Sequence, residues 1–181
     1  HERLVGSEMC IRDRLKLTRY TGKKTAGDFV DDIVKVYQDI VKKCENDQIA
    51  WVQFDEPALV QDMSLEDIAL FHRIYDKILA DKGSCKILLQ TYFGDVRDVY
   101  QELIRMPFDG IGLDFLEGKE TGHLIGRYGF PQEKVLFAGL VNGKNIWKNH
   151  YEKTLSFLKE LKDKEIQTVL STSCSLLHVP Y

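Results

Sequence analysis

Apolar residues recur along this chain in two alternating registers. After Thr25, the residues Phe29, Ile33, Val36/Tyr37, Ile40 and Cys44 fall three and four apart. That is the spacing of one helical face, with Thr25 placed to cap it. "WVQFDEP" follows, a short apolar run closed by Pro57, and predicts a buried strand. Ser64 caps a second predicted helix whose face carries Leu65, Ile68, Phe71/His72, Tyr75 and Ile78/Leu79. "KILLQTY" predicts the next strand. Val96, Val99/Tyr100 and Leu103 mark a helix that ends before Pro107, and "GIGLDF" predicts a third strand. The Gly-rich stretch "EGKETGHLIGRYGFP" leaves room for a short helix at most. "KVLFAGL" is the fourth predicted strand. Asn145 is the expected cap of a helix burying Trp147, Tyr151, Leu155, Leu158 and Leu161, and "QTVLSTS" is the fifth strand.

Strands that read as continuous apolar runs are buried on both faces, and alternation with helices makes the sheet parallel. The fold class is therefore α/β, either an open doubly wound sheet or a partial (β/α)₈ TIM barrel of about five βα units. Both architectures place chemistry at the carboxyl ends of the strands. Those ends carry Asp55/Glu56, Thr91/Tyr92, Asp114, Val141/Asn142 and Ser173/Cys174. An acid, a phenol, a second acid, an amide and a thiol are expected to converge on one face.

Composition narrows this picture. The 181 residues suffice for one domain with a real core, and 44% hydrophobic with 29% charged residues is the balance of a soluble globular protein. A net charge of −3 without a basic stripe argues against a nucleic-acid partner. No apolar run approaches the roughly 20 residues of a membrane span, and no charged-then-apolar leader is visible. Cys10, Cys44, Cys85 and Cys174 are far apart, with no Cys-x-x-Cys pair. That usage fits reduced thiols and predicts a cytoplasmic location.

The segment Leu4–Arg14, "LVGSEMCIRDR", shares none of these patterns. It matches the translation of a transposon-type sequencing adapter, whose mosaic end ATGTGTATAAGAGACAG reads Met-Cys-Ile-Arg-Asp followed by a codon open to Arg. Residues 1–14 are therefore read as adapter-derived rather than native and are set aside from fold reasoning, Cys10 with them. On this reading the native frame is truncated upstream, and residues 15–181 are part of a larger domain.

Single motifs settle little. "AGLVNGKN" lacks one spacer residue of a phosphate loop, and Asn145 stands where its hydroxyl should be, so a βα loop is expected there. "GIGLDF" has Phe115 where a dinucleotide loop needs its third glycine. Asp55 and Glu56 are adjacent in a strand and must point to opposite faces, so one at most faces a site. Asp114 ends a buried strand, and a buried carboxylate must be paired, protonated or turned toward a ligand. His72 and His150 are read as surface or packing residues on helices, and His123 has no partner spacing. Cys174 and His178 are zinc ligands by type, yet a closed site needs four ligands and a catalytic one three, so a packed cysteine is the default.

Taken in order, "WVQFDEPAL", "LLQTYFGDV", "GIGLDF", "LFAGLVNGKNIWKN" and "SCSLLHVP" resemble the N-terminal domain of the cobalamin-independent methionine synthase family over Leu15 to Tyr181. The resemblance implies a cytosolic methyltransferase of two face-to-face (β/α)₈ barrels related by duplication. Its C-terminal barrel holds zinc through His, Cys, Glu and Cys. It takes a methyl group from methyltetrahydrofolate polyglutamate to homocysteine, bound as a zinc thiolate. This chain would then supply about strands four to eight of the N-terminal barrel. Its partner is the C-terminal barrel of the same parent chain, and its role is architecture and support of the folate site.

The implied duplication allows a residue-level comparison. Tyr92 stands at the ligand His position, Gly94 at a ligand Cys position, Asp114 at the Glu position and Cys174 at the final Cys. The segment is therefore expected to hold no metal or other cofactor and no catalytic residue, with zinc confined to the C-terminal half of the parent. Asp55, Tyr92 and Asp114 remain the candidates for facing a ligand. The alternative is a non-catalytic small-ligand-binding barrel module of the same superfamily. A decarboxylase of the uroporphyrinogen type is disfavoured by the joint "DEPAL", "NGKNIW" and "SCSLLHVP" match.

Overall fold

The computed structural model describes residues 4–6, 11, 15 and 18–176. Its strands are β1 (Leu4–Gly6), β2 (Trp51–Asp55), β3 (Lys86–Gln90), β4 (Gly110–Asp114), β5 (Val135–Val141) and β6 (Thr168–Thr172). They lie side by side in chain order, every pair parallel. The helices are α1 (Val30–Asn46), α2 (Leu65–Ala80), α3 (Tyr100–Arg105), α4 (Thr121–Tyr128) and α5 (Tyr151–Asp163). A 3₁₀ turn, Ala26–Phe29, leads into α1, and a second, Pro57–Val60, follows β2.

The sequential strand order decides between the two architectures. A doubly wound sheet reverses its order at a switch point and so covers both faces with helices. Here the order never reverses. Right-handed crossovers then put the helices on one face and leave the other to curve inward, which is the arrangement of a (β/α)₈ barrel segment.

Strand alternation divides the side chains accordingly. Val52, Phe54, Ile87, Leu89, Ile111, Leu113, Leu136 and Ala138 join one apolar cluster with helix residues such as Val34, Phe71, Ile74 and Leu103. Tyr75 of α2 is central, its ring 4.8 Å from Phe71, 5.5 Å from Phe108 and 5.9 Å from Phe54. The opposite face carries Trp51, Gln53, Asp55, Leu88, Gln90, Gly110, Gly112, Asp114 and Phe137. Trp51 and Phe137 meet edge to face at 5.7 Å. They do so across Gly110, where a Cβ would lie 3.0 Å from the Phe137 ring and 3.1 Å from Trp51. The glycines of "GIGLDF" thus serve close packing inside the barrel.

Helix starts follow the caps. Thr25 donates from its N–H and hydroxyl to Asp28, and Ser64 and Asp67 exchange hydrogen bonds at the start of α2. The structure departs from expectation at four places. Asn145 does not cap a helix: its Oδ1 accepts the Trp147 N–H at 3.0 Å, and Asn142 Oδ1 accepts that of Lys144 at 2.8 Å. These side-chain turns compete with the helical ladder, so α5 begins only at Tyr151. Trp147, Tyr151 and Leu155 are consequently exposed, and Thr154 and Leu161 are the buried positions. Leu65, first residue of α2, points into solvent because it precedes the helix's contact with the sheet. "QTVLSTS" forms β6, but Val169 and Leu170 are 41% and 48% exposed because β6 is the outermost strand. Finally, Leu4–Gly6, set aside in the sequence reading, pairs with β2 through Trp51–Gln53. The open edge of β2 offers backbone groups that a short extended stretch can satisfy.

Candidate functional site

The carboxyl ends of β2, β3 and β4 build a polar rim above the barrel interior. Register fixes its levels. Asp55 pairs with Gln90 and Gln90 with Gly112, while Tyr92 stands two residues past the end of β3 and Asp114 two residues further along β4. Even spacing keeps all of them on the inner face.

Asp55 and Glu56 separate as strand alternation requires. Glu56 is fully buried on the helix side, where its Oε1 accepts the Tyr75 hydroxyl at 2.6 Å and the Ile11 N–H at 3.0 Å. It anchors α2 to the sheet. Asp55 faces inward, 7% exposed. Gln53 reaches it: the side-chain amide donates to Asp55 Oδ1 at 2.7 Å and also to the Tyr92 hydroxyl oxygen at 3.2 Å. The structure therefore brings Asp55 and Tyr92 together through a residue the sequence reading passed over. Its signal was available, since Gln53 lies two residues before Asp55 and a polar inward residue in an apolar strand needs a partner.

Asp114 is 2% exposed. Its Oδ1 accepts the N–H groups of Leu116 at 2.7 Å and Glu117 at 3.2 Å. Its Oδ2 is buried without a hydrogen-bond partner among the described residues. Burial dominates and pushes its carboxyl above the usual carboxylate range, against the pull of those two backbone N–H groups.

Three loops meet beside it. Lys144, after β5, donates to both carboxylate oxygens of Glu117, after β4, at 2.6 and 2.7 Å. The same ammonium lies 5.2 Å from the ring centroid of Phe93, after β3. Phe93 is 43% exposed and sits at φ 68°, a left-handed conformation that an aromatic residue rarely adopts. Nothing in the sequence marks this junction, because its members are far apart in the chain.

Cys174 is buried, and burial pushes its thiol up, with Asp114 and Glu117 adding to the shift and Lys144 opposing it. A thiol held protonated is a poor nucleophile. The Gly94 position offers no ligating side chain, and the Tyr92 phenol is engaged by Gln53. Among the described residues no group of three or more His, Cys, Asp or Glu side chains is placed to hold a metal ion. Asn142, expected in the convergent set, turns to the Lys144 N–H instead. His178 and Cys10 lie outside the described residues. His72 is half-buried between Asp76 and Glu102, and His150 is exposed at the start of α5. A cavity of about 760 Å³ lies away from the rim, between residues 18–24 and α1.

Comparison with known proteins agrees with this architecture. Residues 13–166 match the family model described as cobalamin-independent synthase, N-terminal domain. The 5-methyltetrahydropteroyltriglutamate–homocysteine methyltransferase of Streptococcus thermophilus is 51% identical over 92% of the chain. That of Lactococcus lactis subsp. cremoris is likewise 51% identical over 92%. The chain spans 22% of the length of either relative. A solved Listeria monocytogenes structure assigned as a vitamin-B12-independent methionine synthase superposes with a TM-score of 0.64 at 16% identity, covering 84% of this chain and 50% of that one. That last likeness is one of fold.

Proposed function

The chain belongs to the cobalamin-independent synthase family through its N-terminal domain, and on that premise we propose that its parent protein is a methyltransferase. The reaction is transfer of the methyl group of 5-methyltetrahydropteroyltriglutamate to homocysteine, in the cytoplasm. The observation that carries this reading is the 51% identity over 92% of the chain to proteins of that name. This segment supplies barrel architecture and supports the folate site, and its partner is a C-terminal barrel of the same parent.

The metal chemistry belongs to that other half. Zinc there would hold homocysteine as a thiolate, nucleophilic at neutral pH. The described residues of this segment do not fit a zinc site. Among the described residues, Asp114 and Cys174 have no further protein ligand at the Tyr92 and Gly94 positions. Residues 1–14 are proposed to be adapter-derived. A second reading, a non-catalytic module that binds a small ligand at the strand ends, draws on Asp114 Oδ2, which has no hydrogen-bond partner among the described residues.

The test is recovery of the full reading frame. The parent should encode a second barrel with Thr-His-x-Cys and Asp-Cys-Gly stretches and should methylate homocysteine, while residues 15–181 alone are inactive and retain no zinc through dialysis. A gene without that second barrel would sink the methyltransferase reading. Stoichiometric zinc in residues 15–181 would overturn the assignment of the metal.

A further inference from the structure

The groove between α4 and α5, on the helix side of the sheet and bordered by the loop that follows Asp114, has features the methyltransferase reading does not use. It encloses about 560 Å³, the size of a small-molecule pocket. Its floor is apolar: Phe115, Ile125, Phe157 and Leu161, with Phe115 and Phe157 meeting edge to face at 4.9 Å. Lys119, His123, Arg127 and Lys164 surround that floor, against one acid, Glu160.

The charge is notable against its background. The chain as a whole is acidic, −3, whereas the lining of this groove carries four basic side chains and a single acid. Among the described residues, Lys119, Arg127, Lys164 and His123 enter no ion pair. The groove wall is also open. Gly122 and Gly126 face it from α4, and a Cβ at either would meet nothing within 4 Å. Each helical glycine costs about 1 kcal/mol relative to alanine, and no neighbour in the structure requires either one.

We propose that this groove binds a small amphipathic anion, its apolar body on the Phe115–Phe157 floor and its carboxylate, phosphate or sulfonate group among Lys119, His123, Arg127 and Lys164. Charge complementarity selects the anionic group, and the aromatic floor selects an apolar body over a bare inorganic ion. The proposal is independent of the parent's reaction.

The probe is 1-anilinonaphthalene-8-sulfonate, titrated into the 181-residue chain and followed by fluorescence and by amide chemical shifts. Binding should be saturable, with shifts concentrated at Gly118, Gly122, Gly126 and Lys164. The double variant Arg127→Glu/Lys164→Glu should bind about tenfold more weakly, as should the wild type when salt rises from about 50 to about 500 mM. Gly122→Leu should fill the groove and abolish binding, with the far-UV circular dichroism unchanged. Lys35→Glu, a cation on α1, should leave the affinity as it is. Shifts centred instead on Trp147 and Leu155, or equal affinity in the Arg127/Lys164 variant, would overturn the proposal. So would an equal loss in Lys35→Glu.

Discussion

The side-chain amide of Gln90 lies directly across the face of Gly112, so that a Cβ at position 112 would land on it. Gln90 is held there, 2% exposed, by donation from its Nε2 to the Thr91 carbonyl at 3.1 Å. Gly112→Ala should therefore destabilise the chain by about 1–3 kcal/mol, the usual cost of overpacking a core. Shortening Gln90 to Ser in the same chain should recover part of that loss. A double-mutant cycle in urea measures the coupling, and additive losses would show that the two residues do not compete for this space.

Phe93 offers a test of backbone strain. At φ 68°, glycine is the residue the backbone prefers, whereas alanine keeps the strain and loses the ring that Lys144 covers. Phe93→Gly should thus be more stable than Phe93→Ala by about 1 kcal/mol, the reverse of their order at an ordinary position. Urea midpoints of the two variants decide this. Alanine matching or exceeding glycine would mean that the loop relaxes out of the left-handed region.

The fold was legible where local and tertiary signals agree. "WVQFD", "KILLQ" and "GIGLD" are apolar on both faces because one face meets helices and the other meets neighbouring side chains inside the barrel. Their carboxyl ends placed Asp55, Tyr92 and Asp114 without further information. What the sequence hid was set by non-local partners. The choice of which acid faces inward fell to Tyr75 drawing Glu56 to the helix side. The late start of α5 fell to two asparagine turns that cancel an otherwise helical apolar spacing. The Phe93–Lys144–Glu117 junction joins three loops, and no periodicity reports a contact of that kind.

Lys134, at the amino end of β5, is 4% exposed and donates to the carbonyls of Met106 at 2.7 Å and Phe108 at 2.9 Å. Burial pulls its ammonium below the usual lysine range. Between that lowered value and 10.5 the unfolded chain holds a proton that the folded chain has released. This group's contribution to stability should accordingly rise with pH through that window. Lys134→Met strands two buried carbonyls and should cost about 1–3 kcal/mol at neutral pH. The variant should also lack the alkaline rise, read as the difference between wild-type and variant urea midpoints from pH 8 to 10. Identical pH slopes in the two proteins would contradict the assignment.

Asp114 yields the prediction that bears most on function. Its folded carboxyl titrates above 3.8, chiefly through burial, so the folded state binds more protons than the unfolded state between those two values. The stability this group contributes is full below 3.8 and is lost as pH rises through the folded value; at neutral pH the buried charge is a net cost. Asp114→Asn keeps an oxygen for the Leu116 and Glu117 N–H groups and removes the charge. It should stabilise the chain at pH 7 by on the order of 1 kcal/mol and flatten the pH dependence on the acid side. Strained or costly groups collect at working sites. In the full-length parent the same substitution should therefore leave the protein more stable but change its KM for one of the substrates. Chemical denaturation and steady-state kinetics on one preparation read both. A variant that is destabilised at pH 7 and kinetically unchanged would reassign Asp114 as a structural cap of the β4 turn.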